Sequence, residues 1–138
     1  MVNFCSENEF ILDQEAEVSD WIRGTIMSEG YKLGEITFVF CDDSYLLEIN
    51  KEFLQHDTYT DIISFDYSLG KEVHGEIYIS IERVQENAVE FETQFRDELH
   101  RVIIHGVLHL CGYNDKETND KVLMRTRENE CLLARNFL

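Results

Sequence analysis

One segment constrains this chain more than any other. From about Asp97 to Cys111 the sequence reads as a helix that is apolar at Ile103, Ile104, Val107, Leu108 and Leu110, carries His105 and His109, and stops at Gly112. Two residues four apart on a helix lie about 40° apart around the axis and one turn apart along it, so the two rings can converge. The apolar neighbours bury the helix, and imidazoles projecting from a buried helix need partners or a ligand. Gly112 can adopt the left-handed conformation that ends a helix, and the returning chain can bring Asp115 to the same point. Two imidazoles and a carboxylate suit a borderline divalent cation such as Zn²⁺, and three protein ligands leave one position for water, as in catalytic sites. The spacing also occurs by chance, and core histidines bonded to carbonyls are common, but metal binding is the favoured reading of the segment. The peptidase pattern H-E-x-x-H is absent because Gly106 stands where its Glu would be.

The rest of the chain reads as alternating elements without repeats or linkers. Residues 14–29 carry Ala16, Val18, Trp21, Ile22 and Ile26 at helical spacing, with Gly30 as the stop. Residues 35–41 (EITFVFC) are β-branched and aromatic and read as a strand. Asp42, Asp43 and Ser44 can cap a second helix. Residues 61–67 and 75–80 read as two further strands joined by the turn 68–71, and a short edge strand is expected near Val2–Phe4 or Phe10–Leu12. Helices follow, one with Val84, Ala88, Val89 and Phe91 on one face and a last one over about 117–136 with Val122, Leu123, Met124, Leu132 and Leu133 inward. The expected fold is one α+β domain over residues 1–138: a small mixed sheet of three to four strands packed against about five helices, with the metal site on a helix of the C-terminal half.

Composition narrows the function classes. The chain has 138 residues and a formal net charge of -16, which argues against binding nucleic acid by bulk charge. The charge is uneven: residues 1–90 hold 20 acidic and 5 basic residues, residues 91–138 hold 8 and 7. Phosphate contacts would therefore use Arg96, Arg101, Lys116, Lys121, Arg125, Arg127 or Arg135, each of which also reads as an ordinary solvated helix charge. No run of about 18 apolar residues is present, so no membrane span is expected. The start MVNFCSENEF lacks the features of a secretory signal. A cytoplasmic protein is expected, with Cys5, Cys41, Cys111 and Cys131 as buried free thiols. His56, His74 and His100 read as surface histidines, and Trp21 and the nine Phe as core.

Three blocks, in order, resemble one family. HGVLHLCGY and the residues after it resemble the signature H-G-x-L-H-L-x-G-Y-D-H of the YbeY-type rRNA maturation factors, a family of metal-dependent endoribonucleases. The stretch from Asn50 to Phe65 resembles the family's N-x-x-Y-R-x-x-D-x-P-T-D-V-L-S-F, and Gly75–Ser80 its G-D-I-x-I-S strand; Met124 and Glu128 fit its C-terminal helix. The resemblance implies a zinc-type ion held by three residues and a role in maturation and quality control of ribosomal RNA, notably that of the small ribosomal subunit. By position His105 and His109 match the first two ligands, and Asp115 stands where the family has its third His, with Asn114 as a weak backup. Leu54 stands at the family's Arg and Tyr59 at its Pro; Lys51 and His56 are nearby substitutes for the lost cation. Thr60, Asp61 and Ser64 match the motif. Asp61 is a candidate for orienting a ligand histidine, or for capping strand and turn; Asp57 reads as a turn residue. Two rival readings remain: a ribosome-associated binding module with a structural metal, and a metal-dependent hydrolase of another substrate.

Overall fold

The computed structural model describes residues 1–54 and 60–138; His56, Asp57 and Tyr59 lie outside the described residues. Four strands, β1 (Val2–Ser6), β2 (Lys32–Cys41), β3 (Ile62–Asp66) and β4 (Glu72–Ser80), form one mixed sheet in the order β1-β2-β4-β3. The β1/β2 and β2/β4 pairs are parallel and β3/β4 is an antiparallel hairpin. Among the described residues five helices accompany the sheet: α1 (Glu15–Ser28), α2 (Asp43–Leu54), α3 (Ile81–Glu90), α4 (Phe95–Leu110) and α5 (Thr118–Leu133). No helix among the described residues is long and apolar enough to cross a membrane.

Strand alternation divides the core into two layers. Ile36, Phe38 and Phe40 of β2 join Ile77 and Ile79 of β4 in the larger cluster, which α1 and α4 cover with Ile22, Ile26, Ile103, Ile104 and Val107. The opposite face turns Cys41 and Ile63 toward Leu46 and Ile49 of α2. The helix α4 is therefore buried on most of its circumference, against the sheet and against α3 and α5. It lies close to the strands: a Cβ on Gly106 would meet Ile62 and Ile77 side-chain atoms at 3.0 and 3.1 Å.

Several expectations are corrected. Val89 and Phe91 are 81% and 56% exposed, because α3 buries the stripe Ile81, Val84 and Ala88 instead. In α5 the inward stripe is Met124, Glu128 and Cys131, which leaves Val122, Leu123 and Leu133 exposed. Phe53 is exposed as well as Phe91, so the phenylalanines are not all core. Cys41, Cys111 and Cys131 are buried free thiols, but Cys5 is exposed: it sits on edge strand β1, on the face opposite to the one that turns Phe4 toward the core.

His100 is the sharpest correction among the histidines. It is 3% exposed, between the rings of Trp21 (5.6 Å) and Phe137 (5.7 Å). Arg135 Nη1 donates to its Nδ1 at 2.8 Å, so this ring is held neutral. Burial, then the charges of Arg135 and Arg96, push its pKa from 6.5 down to about 4, against the weaker pull of Asp97. The unfolded chain binds a proton here that the native state refuses. Stability is therefore complete above about pH 6.5 and is lost as the pH falls toward about 4, by about 3 kcal/mol at most. Denaturant melts of the parent and His100→Gln across that window check this: the variant should show a shallower acid limb, and parallel limbs would remove His100 as the cause.

Candidate metal centre and its cleft

The end of α4 builds the site. Gly112, at φ 99°, closes the helix: its N–H donates to the His109 carbonyl at 3.0 Å and the Tyr113 N–H to the Leu108 carbonyl at 3.0 Å. This paired arrangement satisfies the last carbonyls and reverses the chain. The reversal does two further things. It puts the Tyr113 carbonyl 2.9 Å from His109 Nδ1, and it returns Asp115 to the two rings.

The three side chains meet at one point. His105 Nε2 and His109 Nε2 are 3.0 Å apart, and each is 3.3 Å from Asp115 Oδ2. Tetrahedral ligands at about 2.0–2.1 Å from a zinc-sized ion are separated by roughly 3.3 Å, so the triangle has the dimensions of one face of such a site. The outward nitrogens settle the tautomers. A carbonyl only accepts, so His109 Nδ1 carries the proton, and His105 Nδ1 faces Glu128 Oε2 at 2.6 Å. With both Nδ1 protons committed, neutral rings turn two lone pairs toward a carboxylate oxygen. Three acceptors at such distances need a positive centre between them: a proton on His105, or a cation. Burial opposes charge on His105, but the bond to Glu128 and the charges of Glu128, Asp115 and Asp61 outweigh it and raise its pKa. Among the described residues this is the group of His, Cys, Asp and Glu whose donor atoms lie close enough together, within 4.8 Å, to hold a metal ion.

Glu128 is the functional residue that the resemblance located without a role. It is 5% exposed, and its second oxygen accepts from Arg101 Nη1 at 2.9 Å. Burial works against its charge, while the bonds from His105 and Arg101 hold its pKa below the usual carboxylate value. One signal could have found it: a carboxylate on the buried stripe Met124, Glu128, Cys131 must have a partner.

Of the two roles open to Asp61, its hydrogen bonds are those of strand and turn, while Glu128 and the Tyr113 carbonyl occupy the two Nδ1 positions. Asp61 lies just before β3, where its carbonyl accepts from the Ser80 N–H at 3.0 Å and its Oδ2 from Asn87 Nδ2 at 3.3 Å. Burial raises its carboxyl pKa. Thr60 bonds the Ile62 carbonyl, a turn contact. His74 is half-buried, with Nε2 2.7 Å from Glu72 and Nδ1 accepting from the Glu35 N–H. Leu54 ends α2 at 42% exposure.

A cleft of about 400 Å³ opens beside His105 and Asp115, between the start of β3, the end of α3, and the facing sides of α4 and α5. Of the seven basic residues of the C-terminal third, three line it: Arg101, Lys121 and Arg125. Arg96 and Arg135 lie against Asp97, and Arg127 against Glu29.

The comparisons with known proteins agree over most of the chain. A family model described as Endoribonuclease YbeY matches residues 3–136. The Endoribonuclease YbeY of Flavobacterium psychrophilum is 56% identical over 132 residues, which cover 96% of this chain and 94% of that protein. That of Bacteroides thetaiotaomicron is 47% identical over 122 residues, or 88% of this chain and 89% of the other. A solution structure from Thermotoga maritima aligns with a TM-score of 0.68 at 26% identity, covering 96% of this chain and 87% of that one. On this agreement, the chain belongs to the endoribonuclease YbeY family.

Proposed function

We propose that this protein is a metal-dependent endoribonuclease that cleaves single-stranded ribosomal RNA during maturation and quality control of the small ribosomal subunit, in the cytoplasm. The observation that carries the reading is the convergence of His105, His109 and Asp115 on one point at the mouth of a cleft with basic residues on its wall, in a chain of this family. Zinc is the ion that best suits two imidazoles, one carboxylate and near-tetrahedral spacing. When bound, such an ion supplies Lewis-acid polarisation of a phosphoryl oxygen and acidifies water. The chain's own residues do the positioning. Glu128 and the Tyr113 carbonyl aim the two rings, Arg101 fixes Glu128, and the cleft cations offset phosphate charge that a surface of net charge -16 would otherwise repel.

The test is cleavage of a single-stranded small-subunit rRNA fragment by purified protein, after chelation and after return of zinc, manganese or magnesium. Activity should vanish with the chelator, return with one of the metals and fall steeply with salt, because few phosphate contacts are available. Cleavage that survives exhaustive chelation would overturn metal dependence. A ribosome-associated binding module is the second reading, favoured by the net charge and by Leu54 at the family's Arg position; it predicts RNA retention without new RNA ends.

The Asp115 position provides a finer check. Asp115→Ala should lower metal affinity on the scale of a lost ligand. Asp115→His should keep the metal and move the activity profile to lower pH, because a neutral imidazole leaves more of the cation's charge uncompensated than a carboxylate does. Metal titration of the three proteins decides it; unchanged affinity in Asp115→Ala would assign the third ligand elsewhere.

A further inference from the structure

The cleft that His105 and Asp115 help to line continues away from them, and its far wall is built from residues that do not converge on the ion position. Glu98, on the first turn of α4, contributes to the wall, is 5% exposed, and its carboxyl has no hydrogen bond or ion pair among the described residues. The guanidinium closest along the helix, that of Arg101, is committed to Glu128 and Asn129 at 2.9 and 2.8 Å. The residue is buried, but its carboxyl oxygens are not sealed from solvent: they open on the cleft, an acceptor pair available to donors there. Burial pushes its pKa up and the charges of Asp61 and Glu128 add to the rise, against the opposing pull of Arg101 and Arg125. Beside it the wall is apolar, formed by Val102, Met124 and the ring of Phe91, which leaves the core and is 56% exposed. On the α5 side stand Lys121 and Arg125, one turn apart. Arg125 has only a 3.5 Å approach to Glu128, and its side chain is 58% exposed. An aromatic face, a cleft-facing acceptor pair and two cations in a cleft within the ~300–1,000 Å³ range of small-molecule sites match the three parts of a nucleotide.

We propose that this cleft is a base-reading subsite that takes one guanine nucleotide of the RNA: the base stacks on Phe91, its Watson–Crick edge donates to Glu98, and its phosphate lies against Lys121 and Arg125. Guanine is the RNA base that sets two adjacent N–H donors, N1–H and N2–H, against the two oxygens of a carboxylate. Adenine and cytosine place a ring lone pair beside their amino group, and uracil flanks its imino group with two carbonyls. The proposal rests on the endoribonuclease reading, and it makes the enzyme selective for guanine next to the cleavage point.

Binding of the four nucleoside 5′-monophosphates to the full chain, with and without zinc, tests it by calorimetry. GMP should bind at least tenfold more tightly than UMP. Glu98→Gln, which keeps the shape, and Glu98→Asp, which withdraws the carboxylate by one methylene, should both remove the preference while UMP affinity stays as in the parent. Phe91→Ala should weaken all four nucleotides alike, by roughly tenfold. Lys121→Gln with Arg125→Gln should erase the advantage of GMP over guanosine. Equal binding of the four nucleotides by the parent overturns the proposal without any variant, and a GMP preference that persists in Glu98→Gln overturns the role of Glu98. Because these measurements need no RNA cleavage, a failed base preference leaves the metal-dependent nuclease standing. Absent cleavage alongside an intact GMP preference would instead refute the nuclease reading alone.

Discussion

Replacing His105 and His109 together by Ala is expected to take the bound metal from about one ion per chain to background, and RNA cleavage with it. A site with three protein ligands loses two of them, and the remaining carboxylate, Asp115, is 40% exposed, where a single monodentate contact competes poorly with water. The fold should survive. The two imidazoles are 21% and 28% exposed, and the apolar side of α4, with Ile103, Ile104, Val107 and Leu108 fully buried, is untouched. Glu128 keeps Arg101 as its partner. Metal analysis of the purified variant, with circular dichroism to confirm the helices, gives the answer. Full metal occupancy in the double variant would sink the site; cleavage that persists without metal would place the activity elsewhere.

Glu128→Gln carries the second large effect, and it separates holding the ion from aiming the ligand. The carboxylate is not one of the three side chains that converge on the candidate ion position. It accepts from His105 at 2.6 Å and from Arg101 at 2.9 Å, and in doing so fixes both the tautomer and the angle of the His105 ring. The amide keeps the volume but gives up the charge. Partners of this kind typically contribute 10–100-fold to metal affinity, so a loss in that range is expected. Hydrogen bonds to charged groups contribute about 1.5–3 kcal/mol each, so the unfolding free energy should also fall by about 2 kcal/mol. Competition with a chelator of known affinity measures the first and urea denaturation the second. Unchanged metal affinity would mean that packing alone holds the His105 ring. A fall in affinity with unchanged stability would mean that the Arg101 contact adds nothing to the fold.

Much of this protein was legible along the chain because the relevant physics is local. Hydrophobic periodicity located the helices and strands to within a few residues, including the β3/β4 hairpin, and Gly30 and Gly112 marked helix ends because both adopt positive φ. The pairing of His105 with His109 follows from helical pitch alone, and the return of Asp115 from the reversal at Gly112. The inward face of an amphipathic helix was less legible where apolar residues stand side by side. Val89 neighbours Ala88, and Val122 and Leu123 neighbour Met124, and adjacent positions are 100° apart, so only the partners of α3 and α5 decide which is covered.

What only the tertiary structure decided are the contacts between elements distant in sequence. Glu128 reaches His105 across 23 positions, Arg135 reaches His100 across 35, and Asp61 is drawn to Asn87 rather than to a ligand ring. No residue pattern encodes these pairs, because each depends on which faces of two helices or strands the packing of the whole core turns toward one another. Burial has the same origin. His100 looks like an ordinary charged-face histidine until α1 and the C-terminal residues close over it, and Glu98 lines the cleft because α3 and α5 stand on either side of α4. The sequence by itself determined the elements, the two helix stops and the three side chains that converge; the packing of α4 between the sheet, α3 and α5 decided which polar groups lose water, and therefore which of them must find a partner, an ion or a substrate.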